Sequence, residues 1–322
     1  MKKNLYLVIP CYNEEAVLHE TAKRLLTKIN SMIEKALISN NSKILFINDG
    51  SKDNTWNIIK ELHNQNSIFS GVNLSRNKGH QNALLAGLIT AKDYSDITIS
   101  LDADLQDDID VIDKFVEEYY SGSDIVYGVR SSRKTDTLFK KITALGFYKF
   151  MNVLGVDVMY NHADYRLMSK RALDGLSQFK EVNLFLRGIV PLIGYRYSVV
   201  EYERHERFAG ESKYPLKKML AFALDGITSF SIKPIRLITG LGFFIFLVSF
   251  IALIYSLIVK FLGETVAGWT SLTLSIWLIG GIQLLSLGVI GEYIGKIYNE
   301  TKHRPRFIIA DKLINTELFI EK

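Results

Sequence analysis

Two stretches of this chain, residues 237–259 and 269–291, contain no Asp, Glu, Lys or Arg. Each exceeds the ~20 apolar residues with which an α-helix crosses the hydrocarbon core of a bilayer. Paired core helices of a water-soluble fold rarely stay uncharged over such lengths, so the pattern predicts two transmembrane helices. Only the short segment 260–268 separates them, which makes a hairpin whose ends return to one side. Lys233 and Arg236 precede the first run and Lys296, Lys302, Arg304 and Arg306 follow the second, against Lys260 and Glu264 at the tip. The positive-inside rule then places both ends of the hairpin in the cytoplasm.

The apolar excess is local. The whole chain of 322 residues is 48% hydrophobic with a mean hydropathy of +0.11, yet roughly its first two hundred residues alternate apolar and charged stretches as ordinary globular sequence does. The apolar start, residues 5–10, is too short for a secretory signal and lacks a small-residue cleavage site. A single cysteine, Cys11, excludes an internal disulfide and fits a reducing compartment. It reads as a packing residue, with no partnered His nearby. The net charge of +5 and pI of about 9.0 suit an anionic membrane surface. Nucleic acid fits less well, because the basic residues gather near the apolar runs and no zinc-ligand or helix-turn-helix spacing is present.

Short apolar runs at 5–9, 44–47, 72–74, 97–101 and 125–129 read as strands. Between them, 16–34, 55–64, 81–90 and 111–120 carry apolar residues at helical spacing, for example Leu18, Leu25, Ile29 and Ile33. Alternation of this kind predicts an α/β fold with a mostly parallel sheet covered by helices on both faces. In open sheets of this type ligands bind outside the carboxyl ends of the strands.

Polar residues crowd those ends. Asp102 and Asp104 follow the run 97–101, and two carboxylates one residue apart at such a place can hold a hard divalent cation against a diphosphate. Residues 10–15, Pro10-Cys11-Tyr12-Asn13-Glu14-Glu15, follow the first strand and Asn48-Asp49-Gly50-Ser51-Lys52-Asp53-Asn54-Thr55 follows the second. Either segment alone reads as helix capping and turn formation. Ser75-Arg76-Asn77-Lys78-Gly79-His80 sets cations and a glycine before a helix, a phosphate or ribose contact. Capping does not account for all of these loops converging on one edge.

Taken together, Pro10-x-Tyr12-Asn13-Glu14, Asp49-Gly50-Ser51-x-Asp53-x-Thr55 and Asp102-x-Asp104-Leu105-Gln106 resemble the nucleotide-sugar motifs of family 2 inverting glycosyltransferases. Asp164-Tyr165-Arg166-Leu167-Met168-Ser169, the segment from Arg207 through Gly210 to Tyr214, and Gly291-Glu292-Tyr293-Ile294-Gly295-Lys296 are similar to the polyprenyl-phosphate branch. That branch contains bactoprenol glucosyltransferases and relatives of dolichol-phosphate mannose synthase. The resemblance covers nearly the whole chain and departs at Asn48, where the family often has an acidic residue. It implies a GT-A-type domain over 1–214, a juxtamembrane amphipathic segment over 215–235, paired spans within 236–293 and a cytoplasmic tail over 294–322, in a bacterial-type cytoplasmic membrane.

The resemblance further implies that Pro10, Tyr12, Glu14 and Asp49 surround the base and ribose with Arg76 nearby. Asp104 would be the principal ligand of Mg²⁺ or Mn²⁺, Asp102 a second ligand or a ribose contact, and Gln106 a neighbour of the transferred sugar or acceptor. A lipid phosphate is already an anion and attacks without losing a proton, so the site needs cations and alignment rather than a general base. Arg130, ending the fifth strand, is the first candidate for the acceptor phosphate, with Arg207 and Lys213 next; for Arg130 a solvated surface cation is an equal reading. Asp157 and Asp164 are either acceptor-side carboxylates or members of ordinary ion pairs. The basic, apolar segments 139–151 and 215–222 suit a headgroup interface, or helices packed on the sheet.

The expected reaction is transfer of a hexose from a UDP-sugar, UDP-glucose or UDP-N-acetylglucosamine, to undecaprenyl phosphate with inversion. A GDP-mannose-using mannosyltransferase and a non-catalytic membrane anchor or flippase partner are the alternatives. A haloacid-type phosphatase is disfavoured by Gln106, and a processive synthase by the missing Gln-x-x-Arg-Trp. Gly280, Gly281, Gly288 and Gly291 could support close helix packing within one subunit or in a homo-oligomer.

Overall fold

The computed structural model describes residues 2–130, 162–203, 233–261 and 269–314. Strand and helix alternate from the start: β1 (Leu5–Cys11), α1 (Leu18–Glu34), β2 (Lys43–Asn48), α2 (Thr55–Gln65), β3 (Phe69–Leu74), α3 (His80–Lys92), β4 (Ile97–Ser100), α4 (Ile112–Tyr120) and β5 (Ile125–Arg130). Then come β6 (His162–Ser169), α5 (Lys170–Gln178), α6 (Leu186–Leu192), β7 (Tyr197–Tyr202), the long helices α7 (Lys233–Phe261) and α8 (Trp269–Thr301), and β8 (Ile309–Leu313).

All eight strands join one sheet in the order β7-β5-β6-β4-β1-β2-β3-β8. β1 pairs in parallel with β2 and β4, β2 with β3, and β5 with β7. β6 runs antiparallel between β4 and β5, and β8 antiparallel along β3. The other six strands therefore point one way and bring their carboxyl ends to a single edge, as the alternating pattern predicts.

Every residue of β1 is buried, the mark of a strand covered on both faces, where apolar side chains do not alternate with polar ones. Leu5, Leu7 and Ile9 share a core with Leu18, Leu25 and Ile29 of α1 and Phe115 of α4. Val8, on the opposite face, meets α3, where a Cβ on Gly87 would come within 2.4 Å of Val8 Cγ1 and 2.7 Å of Ile47 Cγ1. That close approach needs glycine in the middle of a helix. β6 puts Tyr165 against Phe115, ring centroids 4.7 Å apart, and therefore turns Arg166 to the other face.

The chain divides into two units, one holding the sheet together with the residues from Arg304 onward, the other holding α7 and α8. Within the segment 294–322, read from sequence as a tail, Ile309–Leu313 supplies the eighth strand of the sheet. Both uncharged runs are helical. Among the described residues, however, no helix is long and apolar enough to cross a membrane, and many side chains between Phe246 and Phe261 lie outside them. A Cβ on Gly280, Gly281, Gly288 or Gly291 would meet nothing within 4 Å.

Candidate active site

The first two loops at the carboxyl edge are sewn together. Asn13 N–H donates to Ser51 Oγ at 3.0 Å, and Lys52 N–H donates to Asn13 Oδ1 at 2.9 Å. Glu14 N–H donates to Thr55 Oγ1 at 2.9 Å and Asn54 N–H to Glu15 Oε2 at 2.9 Å. Asn13 sits at φ 53°, a left-handed conformation that a short polar side chain tolerates. The helices that follow, α1 and α2, start without a side-chain cap. Apart from Asp53, whose Oδ1 accepts the Thr55 N–H at the start of α2 at 3.1 Å, these polar residues cross-link two loops, which fixes Tyr12 and Asp49 relative to each other.

Asp49 ties in the third loop. Its Oδ1 accepts Lys78 N–H at 2.7 Å and its Oδ2 accepts Gly79 N–H at 2.9 Å. Burial pushes this carboxyl up, against the two N–H donors that favour its charged form. Gly50 passes so near the same loop that a Cβ would lie 2.5 Å from Arg76 C and Asn77 N, and its φ is +61°. Asp49 thus spends one lone pair of each oxygen on backbone, with one left on each for a ligand. Pro10 and Asp49 are buried, Tyr12 and Glu14 half-buried, and Arg76 exposed.

The fourth loop continues from β4 through Asp102 and the buried Asp104, whose Oδ1 accepts Gln106 N–H at 3.2 Å across a left-handed Leu105. His80 Nε2, at the start of α3, lies 3.7 Å from Asp102 Oδ1 and 3.7 Å from Asp164 Oδ2. Asp164 is gripped by Arg166 Nη2 at 2.6 Å and Arg187 Nη2 at 3.1 Å. Burial alone would raise the Asp164 carboxyl, but Arg187, Arg166 and His80 hold it well below the usual carboxylate range. Of the two readings of Asp164, the structure contains the ion pair.

Asp107 and Tyr202 were not singled out from the sequence. Asp107 is buried and accepts the Tyr202 hydroxyl at 2.6 Å, and Arg130 Nε donates to that hydroxyl at 3.3 Å. Arg130 Nη2 is 3.8 Å from Asp107 Oδ1, so this arginine is a tethered, half-buried group rather than a solvated cation. Burial first, then the Asp102 charge and more weakly Asp104, push the Asp107 carboxyl up to about 6. A third acid after Asp102-x-Asp104 was visible in the sequence, but its burial was not.

Mutually repelling carboxylates around Asp102 and Asp104 suit a hard divalent cation, which is commonly held by one or two carboxylates and completes its shell with water and substrate phosphate. Among the described residues no three His, Cys, Asp or Glu side chains form a self-sufficient metal cage. Arg207, Lys213, Asp157 and the segments 139–151 and 215–222 lie outside the described residues. Cys11 is buried and its S–H lies 3.5 Å from Ile9 O; burial pushes the thiol well up, as expected for a packing residue.

Glycosyl transferase family 2 matches residues 6–176, the span that builds the sheet edge just described. The chain belongs to this glycosyltransferase family. A GtrB C-terminal hairpin matches residues 233–297 of the same family 2 enzyme. It is 56% identical over 314 residues to the uncharacterized glycosyltransferase YkoT of Bacillus subtilis, covering 98% of this chain and 93% of the relative. It is 40% identical over 311 residues to the bactoprenol glucosyl transferase of Shigella phage SfV, covering 95% and 98%. The prophage bactoprenol glucosyl transferase homolog of Escherichia coli is 39% identical over 308 residues, covering 94% and 97%. This family 2 glycosyltransferase therefore shares both its sheet domain and its hairpin with bactoprenol glucosyl transferases.

Proposed function

We propose that this enzyme transfers a hexose from a UDP-sugar to a polyprenyl phosphate, undecaprenyl phosphate in a bacterial-type membrane, with inversion at the anomeric carbon. The observation that carries the reading is the convergence of Tyr12, Asp49, Arg76, Asp102 and Asp104 on cross-linked loops at one sheet edge, in a chain alignable end to end with bactoprenol glucosyl transferases.

Tyr12 covers the base, the free lone pairs of Asp49 accept the uracil N3–H, and Pro10 and Glu14 complete the base and ribose pocket beside Arg76. Asp104, assisted by Asp102, would hold Mg²⁺ or Mn²⁺, which when bound neutralises charge gathering on the leaving diphosphate. Gln106 stands next to the transferred sugar. Arg130, with Arg207 and Lys213, draws in the acceptor phosphate, whose oxygen attacks as the anion it already is. Asp107 and Tyr202 keep the Arg130 guanidinium from swinging onto Asp102 and Asp104.

The lipid acceptor accords with the hairpin. Leu237, Phe243, Phe244, Leu284, Leu285 and Leu287 are 63–73% exposed, a surface that hydrocarbon stabilises and water does not. Residues 236–293 would be the membrane hairpin, with the catalytic domain on the cytoplasmic face.

The deciding assay uses the full chain in detergent with undecaprenyl phosphate and UDP-glucose, UDP-N-acetylglucosamine or GDP-mannose. Transfer from a UDP-sugar that EDTA abolishes, and that Asp104→Asn lowers about a hundredfold or more, is the expected result. Turnover indifferent to EDTA removes the metal role. Transfer from GDP-mannose alone makes this a mannosyltransferase, and no transfer from any donor leaves a membrane anchor or flippase partner.

A further inference from the structure

Asn48 is buried at the end of β2 and faces two neighbours. Its Oδ1 accepts Ser51 N–H at 3.3 Å and its Nδ2 donates to Asn73 Oδ1 at 2.7 Å. Asn73 passes the chain on through Nδ2 to Asp311 Oδ2 at 3.0 Å. Asp311 belongs to β8, opposite Asn73 in the strand register, and Ser75 N–H donates to Ile308 O at 2.9 Å just beyond. The direction of this relay is dictated from its far end. A carboxylate only accepts, so Asn73 turns its NH₂ towards Asp311 and offers its carbonyl to residue 48. Residue 48 must then donate on one side and accept on the other. Asparagine does both, and aspartate cannot.

We propose that β8 is a positioning element for the nucleotide loop, acting through Asp311, Asn73 and Asn48 on Ser51. Ser51 Oγ in turn holds Asn13 N–H, so the relay reaches both loops that flank the base. The strand following α8 thereby helps to preset Tyr12 and Asp49 for a nucleoside diphosphate, and Asn48, Asn73 and Asp311 are positioning residues. The proposal rests on the donor-site reading of these loops.

UDP binding to the full chain in detergent, followed by calorimetry, tests it alongside the donor KM. Asn48→Asp sets acceptors against one another along the relay and is expected to weaken UDP binding about five- to tenfold, raising donor KM with kcat little changed. Adding Asp311→Asn lets the relay run backwards: the new amide at 311 donates to Asn73 Oδ1, and Asn73 Nδ2 donates to the new carboxylate at 48. Affinity then returns to within about twofold of wild type. Asn48→Asp with Asp311→Ala removes the same charge without supplying a donor and stays weak. Unchanged affinity in Asn48→Asp, or rescue by alanine as complete as by asparagine, overturns the relay while leaving the donor site standing. A wild type that binds no UDP overturns the donor site and the relay with it.

Discussion

Asp164 shows how much one side chain can hold in place. It is the counterion of Arg166, which is 1% exposed and whose Nε and Nη1 find no partner among the described residues. Asp164→Asn leaves that guanidinium uncompensated in the interior and is expected to cost about 3–5 kcal/mol, read as a lowered thermal midpoint in detergent with any activity loss following from it. Asp107 carries the opposite sign. Its carboxyl is pushed up from 3.8 to about 6, so the folded state binds the proton more tightly than the unfolded chain does. The resulting stability is fully present below about pH 4 and is lost as pH rises through about 6, on the order of 2–3 kcal/mol. With metal chelated, the midpoint of the wild type should fall across that window. Asp107→Asn should flatten the fall, and an unchanged slope would assign it to other groups. The Asp102-x-Asp104 pair was legible in the sequence because two acids after an apolar run are conspicuous. Asp107 was not, since its burial and its hydrogen bond from Tyr202 on β7 depend on tertiary contacts distant in sequence.

At the level of elements, strands β1 to β5 and helices α1 to α4 were readable because each is a run of one period between turn residues. The strands that escaped have physical reasons. β6 buries Tyr165 and Leu167 but also Arg166, so its alternation is masked by an internal charge. β8 is Ile309-Ala310-Asp311-Lys312-Leu313, a short charged edge strand, and edges carry charge because it discourages pairing with other molecules. Its place beside β3 depends on contacts made across the whole sequence. Helix α3 lies close on the sheet at Gly87, where an added Cβ would be 2.4 Å from Val8 Cγ1. Gly87→Ala would press a methyl against Val8 and Ile47, branched side chains with little room to yield, and overpacking of this kind costs about 1–3 kcal/mol. That penalty should outweigh the ~1 kcal/mol gained from helix propensity, so a higher melting temperature in the variant would mean that α3 sits further from the sheet.

For the whole molecule, connectivity constrains topology. β7 precedes α7 and β8 follows α8, yet both strands lie in one sheet, so a membrane hairpin formed by α7 and α8 must return to the face from which it left. On the proposed membrane reading, the basic residues that flank the hairpin, Lys233 and Arg236 before it and Lys296, Lys302, Arg304 and Arg306 after it, would put that face in the cytoplasm by the positive-inside rule. Thiol labelling can read this directly, because Cys11, the single native cysteine, is 1% exposed and its thiol is pushed well above the usual range by burial. It should remain silent towards a membrane-impermeant maleimide, and no cysteine-free background is needed. Glu264→Cys, between the two uncharged runs, should label from the outer side of intact cells or spheroplasts. Lys302→Cys, after α8, should label only once the membrane is opened. Labelling of both positions from the same side would mean that the hairpin lies on the membrane without crossing it. The exposed apolar helices would then be an interfacial anchor, and polyprenyl phosphate would have to reach the Asp102–Asp104 edge from one leaflet without help from a spanning segment.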